Sequence, residues 1–469
     1  MDKYLQKYPF DIKDVLSKKK RIRKKLLSDL KNPKSVKIAI LSGSTTSEIR
    51  DILELFLLSK NITPTFYESD YNRYYEEAVF ENTKLKEFLP DIVYIHTTNR
   101  NISLYPELTD SKDDIGSKLR EEVDRYKTIW LYLKKTFNCI IIQNNFELPR
   151  NRDLGNLEFS NPAGKINFIM RLNLEFALLC EEIKGVYIND INYLSSWFGL
   201  EKWHDNRFWY SYKYALSYEA IPILAHNIAK IVCAVYGKTK KCLVLDLDNT
   251  LWGGIIGDDD LSEIEIGPDT PTGEAFHSFQ KYIRRLKDRG VILSVCSKNE
   301  LSIAKTGFSH PNTVLKLEDF HSFKANWDLK TTNIVEIADE VNIGLESIVF
   351  VDDNPTEREV KDEYLKILGR NSEIINVGGE KVYPSEIENL IQEIDNVREV
   401  TVIGKKHPVT GNIVCAKIRT FHDESRTELS RRVKRYCKER LPAYKVPVRV
   451  VISETSQSSE RLKKVRQIP

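Results

Sequence analysis

The sequence predicts an α/β protein in which two parallel-sheet domains are followed by a small α+β domain. Before residue 367, short apolar β-branched segments alternate with segments of helical period, and this alternation is typical of parallel sheets covered by helices. Small polar or acidic residues directly follow several of the apolar segments, as they do at the functional edge of such sheets. Further along the chain, two long strand patterns and one helix pattern replace the alternation.

A chain of 469 residues is long enough for about three domains. We expect a helical extension over 1–34, sheet domains over 35–205 and 240–366, a helical connector over 206–239 between them, and the last domain over 367–469.

Composition narrows the classes of function. The formal net charge is only +3, so the bulk charge does not indicate a nucleic-acid partner. Seven cysteines are scattered without a CxxC pair, which favours a reducing compartment and argues against zinc. The amino terminus has no apolar signal region, and no run of some eighteen apolar residues is present. We therefore expect a cytoplasmic protein that does not span a membrane.

Residues 10 to 31 combine apolar residues at helical spacing with the run KKKRIRKK. This pattern predicts an amphipathic helix with a basic face. We interpret that face as a solvated surface of a helix docked on the next domain, and we assign it no chemistry.

The first sheet domain is predicted from VKIAILSGS, DIVYIHTTN and NCIIIQNNF, three buried strands that end in small polar residues. At their carboxyl ends the sequence places Ser42, Ser44, His96, Asn99, Asn144 and Asn145. Such an edge is similar to that of flat-sheet SGNH hydrolases, and His204 with Asp205 could complete a triad. Because those two residues are adjacent here instead of spaced as DxxH, we favour a scaffold or docking domain over an active serine hydrolase.

A stretch dense in Trp and Tyr, WFGLEKWHDNRFWYSYKYAL, precedes the connector. Large aromatic side chains usually serve packing. We therefore expect this stretch to be structural and not a platform that stacks ligands.

The central sheet domain carries four chemical signals, each at the end of a buried strand or the start of a helix. The strand Cys242 to Leu245 is followed by Asp246 and Asp248, whose side chains point the same way on extended backbone. Thr250 completes the first signal, DLDNT. The remaining signals are Cys296 with Ser297 after VILSV, Lys330 at the start of an amphipathic helix, and Asp352 with Asp353 after SIVFV.

Phosphoryl transfer accounts for this set of residues, because it needs a carboxylate nucleophile, a second carboxylate for protons, and cations for the phosphate oxygens. Asp246 is the candidate nucleophile and Asp248 the candidate acid and base. Asp246, the backbone carbonyl of Asp248, and Asp352 are the candidate Mg²⁺ ligands, with Asp353 as an additional candidate. The residues that we expect to hold the phosphate are Thr250, Ser297 and Lys330.

The motifs DLDNTLWGGIIG, VCSKNE, NWDLK and VFVDDNPTERE resemble the haloacid dehalogenase-like (HAD) superfamily, in particular its FkbH-like branch, and LSGSTTSEI and QNNFELP resemble the amino-terminal part of FkbH-like proteins. The resemblance covers 36–359. It implies capture of 1,3-bisphosphoglycerate, loss of phosphate, and delivery of the glyceryl group as a thioester to the phosphopantetheine arm of an acyl carrier protein, in polyketide or nonribosomal peptide assembly.

A glyceryl thioester on the enzyme needs a sulfur nucleophile beside the phosphate site. Cys296 is the only cysteine on the predicted catalytic edge, and its alternative interpretation is a buried strand cysteine; Cys242 lies at the other end of its strand and is expected in the core. The competing functions are a simple Mg²⁺-dependent phosphatase and a non-catalytic docking protein of an assembly line.

The segments NSEIINVGGEKVYPSEIENLI and LPAYKVPVRVV resemble the small carboxyl-terminal domain of AMP-dependent acyl-adenylating enzymes. The resemblance implies that Arg370 contacts nucleotide and that Gly378 and Gly379 line a pantetheine tunnel. Lys463 or Lys464 would replace the terminal lysine of that family, although the accompanying glycine is missing. Because the large adenylating domain is absent from this sequence, we interpret the segment as a carrier-docking module or an evolutionary graft.

Overall fold

The computed structural model describes residues 5, 9–80, 82–256, 261, 264–354, 375–377, 380–382, 384–392, 394–407, 411–422 and 424–452. The chain divides into two compact units, Met1–Thr239 and Lys240–Pro469. Each unit is described by itself.

The first unit contains a five-stranded, fully parallel sheet in the order β2-β1-β3-β4-β5. Its strands are β1 Lys34–Ser42, β2 Ile62–Glu68, β3 Ile92–His96, β4 Ile140–Asn144 and β5 Val186–Asn189. Its helices are α1 Ile12–Ser28, α2 Ser47–Leu58, α3 Tyr74–Val79, α4 Thr83–Phe88, α5 Lys112–Phe137, α6 Lys165–Glu182, α7 Ile191–Phe198, α8 Leu200–Trp203, α9 Asn206–Tyr212 and α10 Ile221–Val235. The prediction of a parallel α/β sheet is therefore confirmed.

Two separate cores cover the two faces of this sheet. Ile38 and Ile40 of β1 belong to one core, while the alternating residues Ala39 and Leu41 belong to the other. This alternation between the two cores is expected for a strand that is buried on both faces, because successive side chains point to opposite sides of the sheet.

The basic helix α1 docks as its period predicts. Val15, Ile22 and Leu26 are buried in the core that also contains α2 and α10, and the opposite face carries most of the lysines and arginines. Lys19 adds an ion pair to Glu48 at 2.6 Å.

The helical stretch Tyr218–Val235 has the length and apolar composition that a membrane-spanning helix needs. Just over half of it is buried, however, and residues such as Leu224 and Ile228 pack into the core of the first unit. It is accounted for as a core helix of that unit.

The second unit begins with a four-stranded parallel sheet in the order β8-β7-β6-β9. The strands are β6 Cys242–Leu245, β7 Ile292–Ser297, β8 Phe320–Ala325 and β9 Ile348–Val351, and the helices are α11 Pro271–Asp288, α12 Leu301–Thr306 and α13 Lys330–Val341. The order makes β6 a central strand, flanked by β7 and β9, so the residues that follow β6 emerge between two other carboxyl ends.

The last part of the second unit is an α+β arrangement, as the sequence predicted. Its strands are β10 Ile375–Val377, β11 Glu380–Val382, β12 Val397–His407, β13 Gly411–Thr420 and β14 Arg449–Ile452, and its helices are α14 Pro384–Gln392 and α15 Arg426–Lys438. Pairing is antiparallel except for β14, which runs parallel to β13. The predictions for Arg370, Gly378, Gly379, Lys463 and Lys464 concern positions outside the described residues.

Candidate active site

The candidate active site lies at the carboxyl ends of β6, β7 and β9. Asp246 follows β6 directly, and its backbone N–H donates to the Val351 carbonyl at 2.9 Å, which fixes the residue at the junction of β6 and β9. The side chain is buried, and its Oδ1 atom has no hydrogen-bond partner among the described residues. A buried carboxylate oxygen without a partner is costly unless a ligand or cation satisfies it.

Lys330 is the first residue of α13 and delivers an ammonium group into this edge. Its Nζ lies 2.9 Å from Oδ2 of Asp246 and 2.5 Å from Oδ2 of Asp352. Burial alone would lower the pKa of Lys330, but the charges of Asp246 and Asp352 outweigh it and raise this pKa above its ordinary value. Lys330 is therefore a fixed cation at the site.

Asp352 and Asp353 bring two further carboxylates to Asp246. One carboxylate oxygen from each of the three residues lies within 4.8 Å of the others. Burial, followed by the charge of Asp246, raises the pKa of Asp352. Crowded carboxylates with one unpartnered oxygen are the donor set that a hard divalent cation prefers, so these residues fit a Mg²⁺ site.

Thr250 ties the loop after β6 to the loop after β9. Its buried Oγ1 accepts the backbone N–H of Asp353 at 3.1 Å, and its own N–H donates to Leu247 at 3.0 Å. Asn249 adopts a left-handed φ of 54°, which Asn tolerates better than most residues. The turn therefore places Thr250 beside the acidic cluster.

The carboxylate of Asp248, the candidate acid and base, is held by protein donors. Oδ1 accepts the indole N–H of Trp252 at 3.2 Å and the backbone N–H of Ile256 at 3.0 Å. Oδ2 accepts Nδ2 of Asn299 at 3.3 Å. The cluster of three close carboxylates consists of Asp246, Asp352 and Asp353, so the side chain of Asp248 is positioned separately from it.

Asn299 and Trp252 are site residues that the sequence analysis did not single out. Both orient Asp248. Trp252 lies four residues after Asp248, in the turn that leaves β6, and Asn299 lies two residues after Ser297, in the motif VCSKN. Trp252 and Asn299 could have been identified from the sequence because they lie close to these motifs.

Ser297 ends β7 and is buried, but Cys296 does not share its position. The Cys296 side chain is fully buried in an apolar cluster with Val244 and Ile337, and its thiol contacts the Lys330 carbonyl at 3.7 Å. Adjacent residues of a strand face opposite sides of a sheet, so Cys296 belongs to the core under α13. The structure thus favours the buried strand cysteine over the exposed nucleophile.

In the first unit, the predicted polar residues do lie at the carboxyl ends of β1, β3 and β4, where several of them hydrogen-bond to neighbouring side chains, while the Ser44 hydroxyl has no partner among the described residues. Ser42 faces Ser69 with a 3.4 Å separation of their hydroxyls, and His96 Nδ1 lies 3.1 Å from Nδ2 of Asn144. Asn145 donates to Asp190 at 2.8 Å.

The hypothetical triad with His204 and Asp205 is not assembled. His204 Nε2 lies 3.2 Å from the Leu148 carbonyl. Asp205 caps α9 and pairs with Arg207 at 3.1 Å. Because Asp205 is engaged in this cap and ion pair, it does not orient His204 towards a serine.

Two models of known protein families match this chain. The FkbH N-terminal domain model matches residues 37–233, and the AMP-binding enzyme C-terminal domain model matches residues 386–461. The chain is also similar to the solved N-terminal part of a Bacteroides fragilis protein that contains a phosphatase domain and was crystallised with Mg. That likeness has 29% identity and a TM-score of 0.66, and it covers 72% of this chain and 89% of the other.

Curated relatives match the C-terminal segment. The 3,4-dihydroxybenzoate–[aryl-carrier protein] ligase of Bacillus anthracis is 39% identical over 83 residues, which cover 18% of this chain and 19% of the relative. The 2-succinylbenzoate–CoA ligase of Listeria monocytogenes is 38% identical over 97 residues, which cover 20% of this chain and 19% of the relative. The chain thus spans about a fifth of the length of these two relatives.

The aspartates after β6 and β9, with Lys330 between them, lie within a chain that carries the FkbH domain and the fold of a phosphatase-domain protein. The chain therefore carries an FkbH N-terminal domain and a C-terminal segment of the kind found in AMP-binding enzymes, and its fold is similar to that of a protein that contains a phosphatase domain.

Proposed function

We propose that this chain is a Mg²⁺-dependent phosphoryl and acyl transferase. It would dephosphorylate 1,3-bisphosphoglycerate, or a related C3 acyl phosphate, and load the glyceryl unit onto the phosphopantetheine arm of an acyl carrier protein in polyketide or nonribosomal peptide biosynthesis. The observation that carries the phosphoryl step is Asp246, with Oδ2 paired to Lys330 and Oδ1 buried without a described partner.

The phosphate ester at C3 is removed by the carboxylates. Asp246 attacks phosphorus, the bond from phosphorus to the C3 oxygen breaks, and Asp248 gives a proton to that oxygen. Water then attacks the aspartyl-phosphate, Asp248 takes a proton from the water, and inorganic phosphate leaves. Lys330 is placed to offset the charge on the phosphoryl oxygens, and Thr250 and Ser297 are proposed to orient them.

Asp246, Asp352 and Asp353 would hold the Mg²⁺. When bound, the ion supplies positive charge that the phosphoryl group and the three carboxylates require. The proposal is supported by the short distances among their oxygens and, by likeness, by the Mg in the related phosphatase-domain structure.

The acyl phosphate at C1 is consumed by a different bond cleavage. A thiolate attacks the carbonyl carbon, a carbon–sulfur bond forms, and the bond from the carbonyl carbon to the phosphate oxygen breaks. One bisphosphate, one thiol and one water therefore give a glyceryl thioester and two phosphates. Because Cys296 is buried in the core, we assign the attack to the thiol of the carrier arm.

A carrier protein as partner is what the resemblance to FkbH-like proteins implies. One curated relative of the C-terminal segment is named as a ligase acting on an aryl-carrier protein. We propose that the segment docks the carrier. The second candidate function, a simple phosphatase, is favoured by the burial of Cys296, since no thiol of the described site faces the acidic cluster.

The test combines the full chain with 1,3-bisphosphoglycerate, Mg²⁺ and a cognate holo-carrier protein, followed by intact-mass measurement. The expected product is a carrier that has gained one glyceryl unit, together with two equivalents of phosphate. Phosphate release without any carrier adduct would leave only the phosphatase. If neither product forms, and Asp246→Asn leaves the output of the assembly line unchanged, the docking protein is supported instead.

A further inference from the structure

The first unit has a sheet edge that the reaction proposed above does not use. In the sheet order β2-β1-β3-β4-β5, β1 connects to β2 on one side of the sheet, whereas β3 connects to β4 on the other side. The strand order therefore reverses between β1 and β3. Ligands of open parallel sheets bind at the carboxyl ends of the strands where the order reverses. The loop after β1, residues 43–46, and the loop after β3, residues 97–101, flank this point.

Ser44 lies within the first of these loops, held from both sides. Nδ2 of Asn101 donates to the Gly43 carbonyl at 3.1 Å. The hydroxyl and backbone N–H of Thr45 donate to the carbonyls of Tyr212 and Lys213 at 2.7 and 3.0 Å. Ser44 therefore lies between the β3 loop and the end of α9.

The Ser44 hydroxyl is buried, at 1% exposure, without a hydrogen-bond partner in the described part of the chain. Leaving such a hydroxyl unsatisfied costs about 1–3 kcal/mol. The helix α2 begins three residues later, at Ser47, so its first turn, which has free backbone N–H groups and the positive end of the helix dipole, belongs to the same edge of the sheet. An anion would satisfy both features.

Two cations converge on one ring at the same edge. The guanidinium carbon of Arg100 lies 4.2 Å from the centre of the Trp209 ring, and Nζ of Lys213 lies 5.4 Å from it. Over the described ranges, neither cation has a carboxylate within ion-pair distance. Contact with an aromatic ring attracts a cation but does not remove its charge, so both side chains remain able to bind an anionic ligand.

Two acidic residues, Glu147 and Glu68, lie near this edge. Glu147 accepts the backbone N–H of Asn99 at 3.2 Å, and burial raises the pKa of its carboxyl group to about 7. Glu68, on the other side of the loop, is engaged by the Thr46 hydroxyl at 2.9 Å and by Arg50. The acidic groups near this edge are therefore one buried carboxyl group and one carboxylate that already pairs with Arg50.

We infer that this edge, formed by Ser44, the first turn of α2, Arg100 and Lys213, binds the phosphate group of a phosphate ester without reacting with it. A hydroxyl, helix N–H groups, a guanidinium and an ammonium are the donors that phosphate oxygens accept. The shared chemistry fits two sources, 4′-phosphopantetheine and a small phosphorylated metabolite. The inference does not depend on the catalytic proposal.

Fluorine signals from two tryptophans report binding at this site and at the active site in one experiment. Trp209 contacts both cations, whereas the Trp252 indole donates to Asp248. The full chain, labelled with fluorotryptophan, is titrated with inorganic phosphate, 3-phosphoglycerate, 4′-phosphopantetheine and pantetheine while the fluorine signals are followed. We expect the phosphate-bearing compounds to shift the Trp209 signal saturably, and pantetheine not to do so.

Replacing both cations, Arg100→Ala with Lys213→Ala, is expected to weaken the Trp209 response by tenfold or more, and Ser44→Ala by about fivefold, the equivalent of one hydrogen bond. The Trp252 titration should be unchanged in both variants. Arg120→Ala, an exposed arginine that bonds to Ser117, is the matched control. The inference would be overturned if phosphate did not shift the Trp209 signal. It would also be overturned if Ser44→Ala and the double variant both responded to phosphate as the wild type does. The more effective of 3-phosphoglycerate and 4′-phosphopantetheine identifies the source.

Discussion

Lys330 and Asp246 form a buried ion pair, 2.9 Å from Nζ to Oδ2, that connects the start of α13 to the end of β6. The pair leaves the second carboxylate oxygen of Asp246 without a described partner. One oxygen is thus oriented by a fixed cation while the other is available for substrate or metal. A nucleophile in a phosphoryl transfer needs this division.

Asp246→Asn removes the proposed nucleophile while keeping the shape of the side chain. We expect phosphate release to fall by about 10³-fold or more, as losses of a covalent nucleophile usually do. The measurement is kcat from phosphate release with an acyl phosphate and with a simple phosphate ester. Asp288→Asn, which alters an exposed ion pair with Arg284, should change kcat less than twofold; equal losses in both variants would contradict the role of Asp246.

Lys330→Met leaves two buried carboxylates, Asp246 and Asp352, without their cation. Removing one partner of a buried ion pair costs about 3–5 kcal/mol, so we expect a lower thermal unfolding temperature in EDTA. Because a bound cation replaces the missing charge, added Mg²⁺ should raise this temperature more in the variant than in the wild type. An equal effect of Mg²⁺ on both proteins would count against the metal site.

The matched control is Lys324→Met. Lys324 pairs with Glu336 and Glu340 at 2.9 and 2.6 Å, but those carboxylates are roughly half exposed. Surface pairs contribute about 0–1 kcal/mol. This variant should therefore lose little stability and show the wild-type response to Mg²⁺.

Periodicity and strand-end position were sufficient to predict β6, the parallel sheets and the acidic residues that follow β6 and β9. The sequence analysis placed Cys296 and Ser297 together at one edge of the sheet. Because neighbouring residues of a strand face opposite sides, only one of the two side chains can face the site. The donors that hold Asp248 come from Trp252, Ile256 and Asn299. Such contacts depend on tertiary packing, which period and composition do not contain.

Cys296→Ala tests where the thioester forms. The side chain is fully buried beside Val244 and Ile337, so the native thiol should resist a thiol reagent and the variant should retain both phosphate release and glyceryl loading. Stability should fall by about 1 kcal/mol for the lost core volume. If loading is lost while phosphate release persists, and acyl-Cys296 is found by mass spectrometry in the wild type, the glyceryl group passes through this residue instead.

Glu147→Gln should stabilise the first unit in a pH-dependent manner. Burial raises the pKa of Glu147 from 4.5 to about 7, so the folded state holds this proton more tightly than the unfolded state. Its contribution is fully favourable below pH 4.5 and is lost as the pH rises to about 7, which amounts to at most about 3 kcal/mol. Buried His96 affects the free energy of unfolding in the opposite direction. Burial lowers its pKa from 6.5 to about 3, so His96 destabilises the fold increasingly as the pH falls below 6.5.

The glutamine of the variant cannot ionise. Urea unfolding should therefore show a gain in the free energy of unfolding over the wild type that increases from pH 5 to pH 7 and then remains constant. The exposed variant Glu121→Gln provides the baseline. A gain for Glu147→Gln that does not change with pH would mean that the carboxyl group remains ionised over this range.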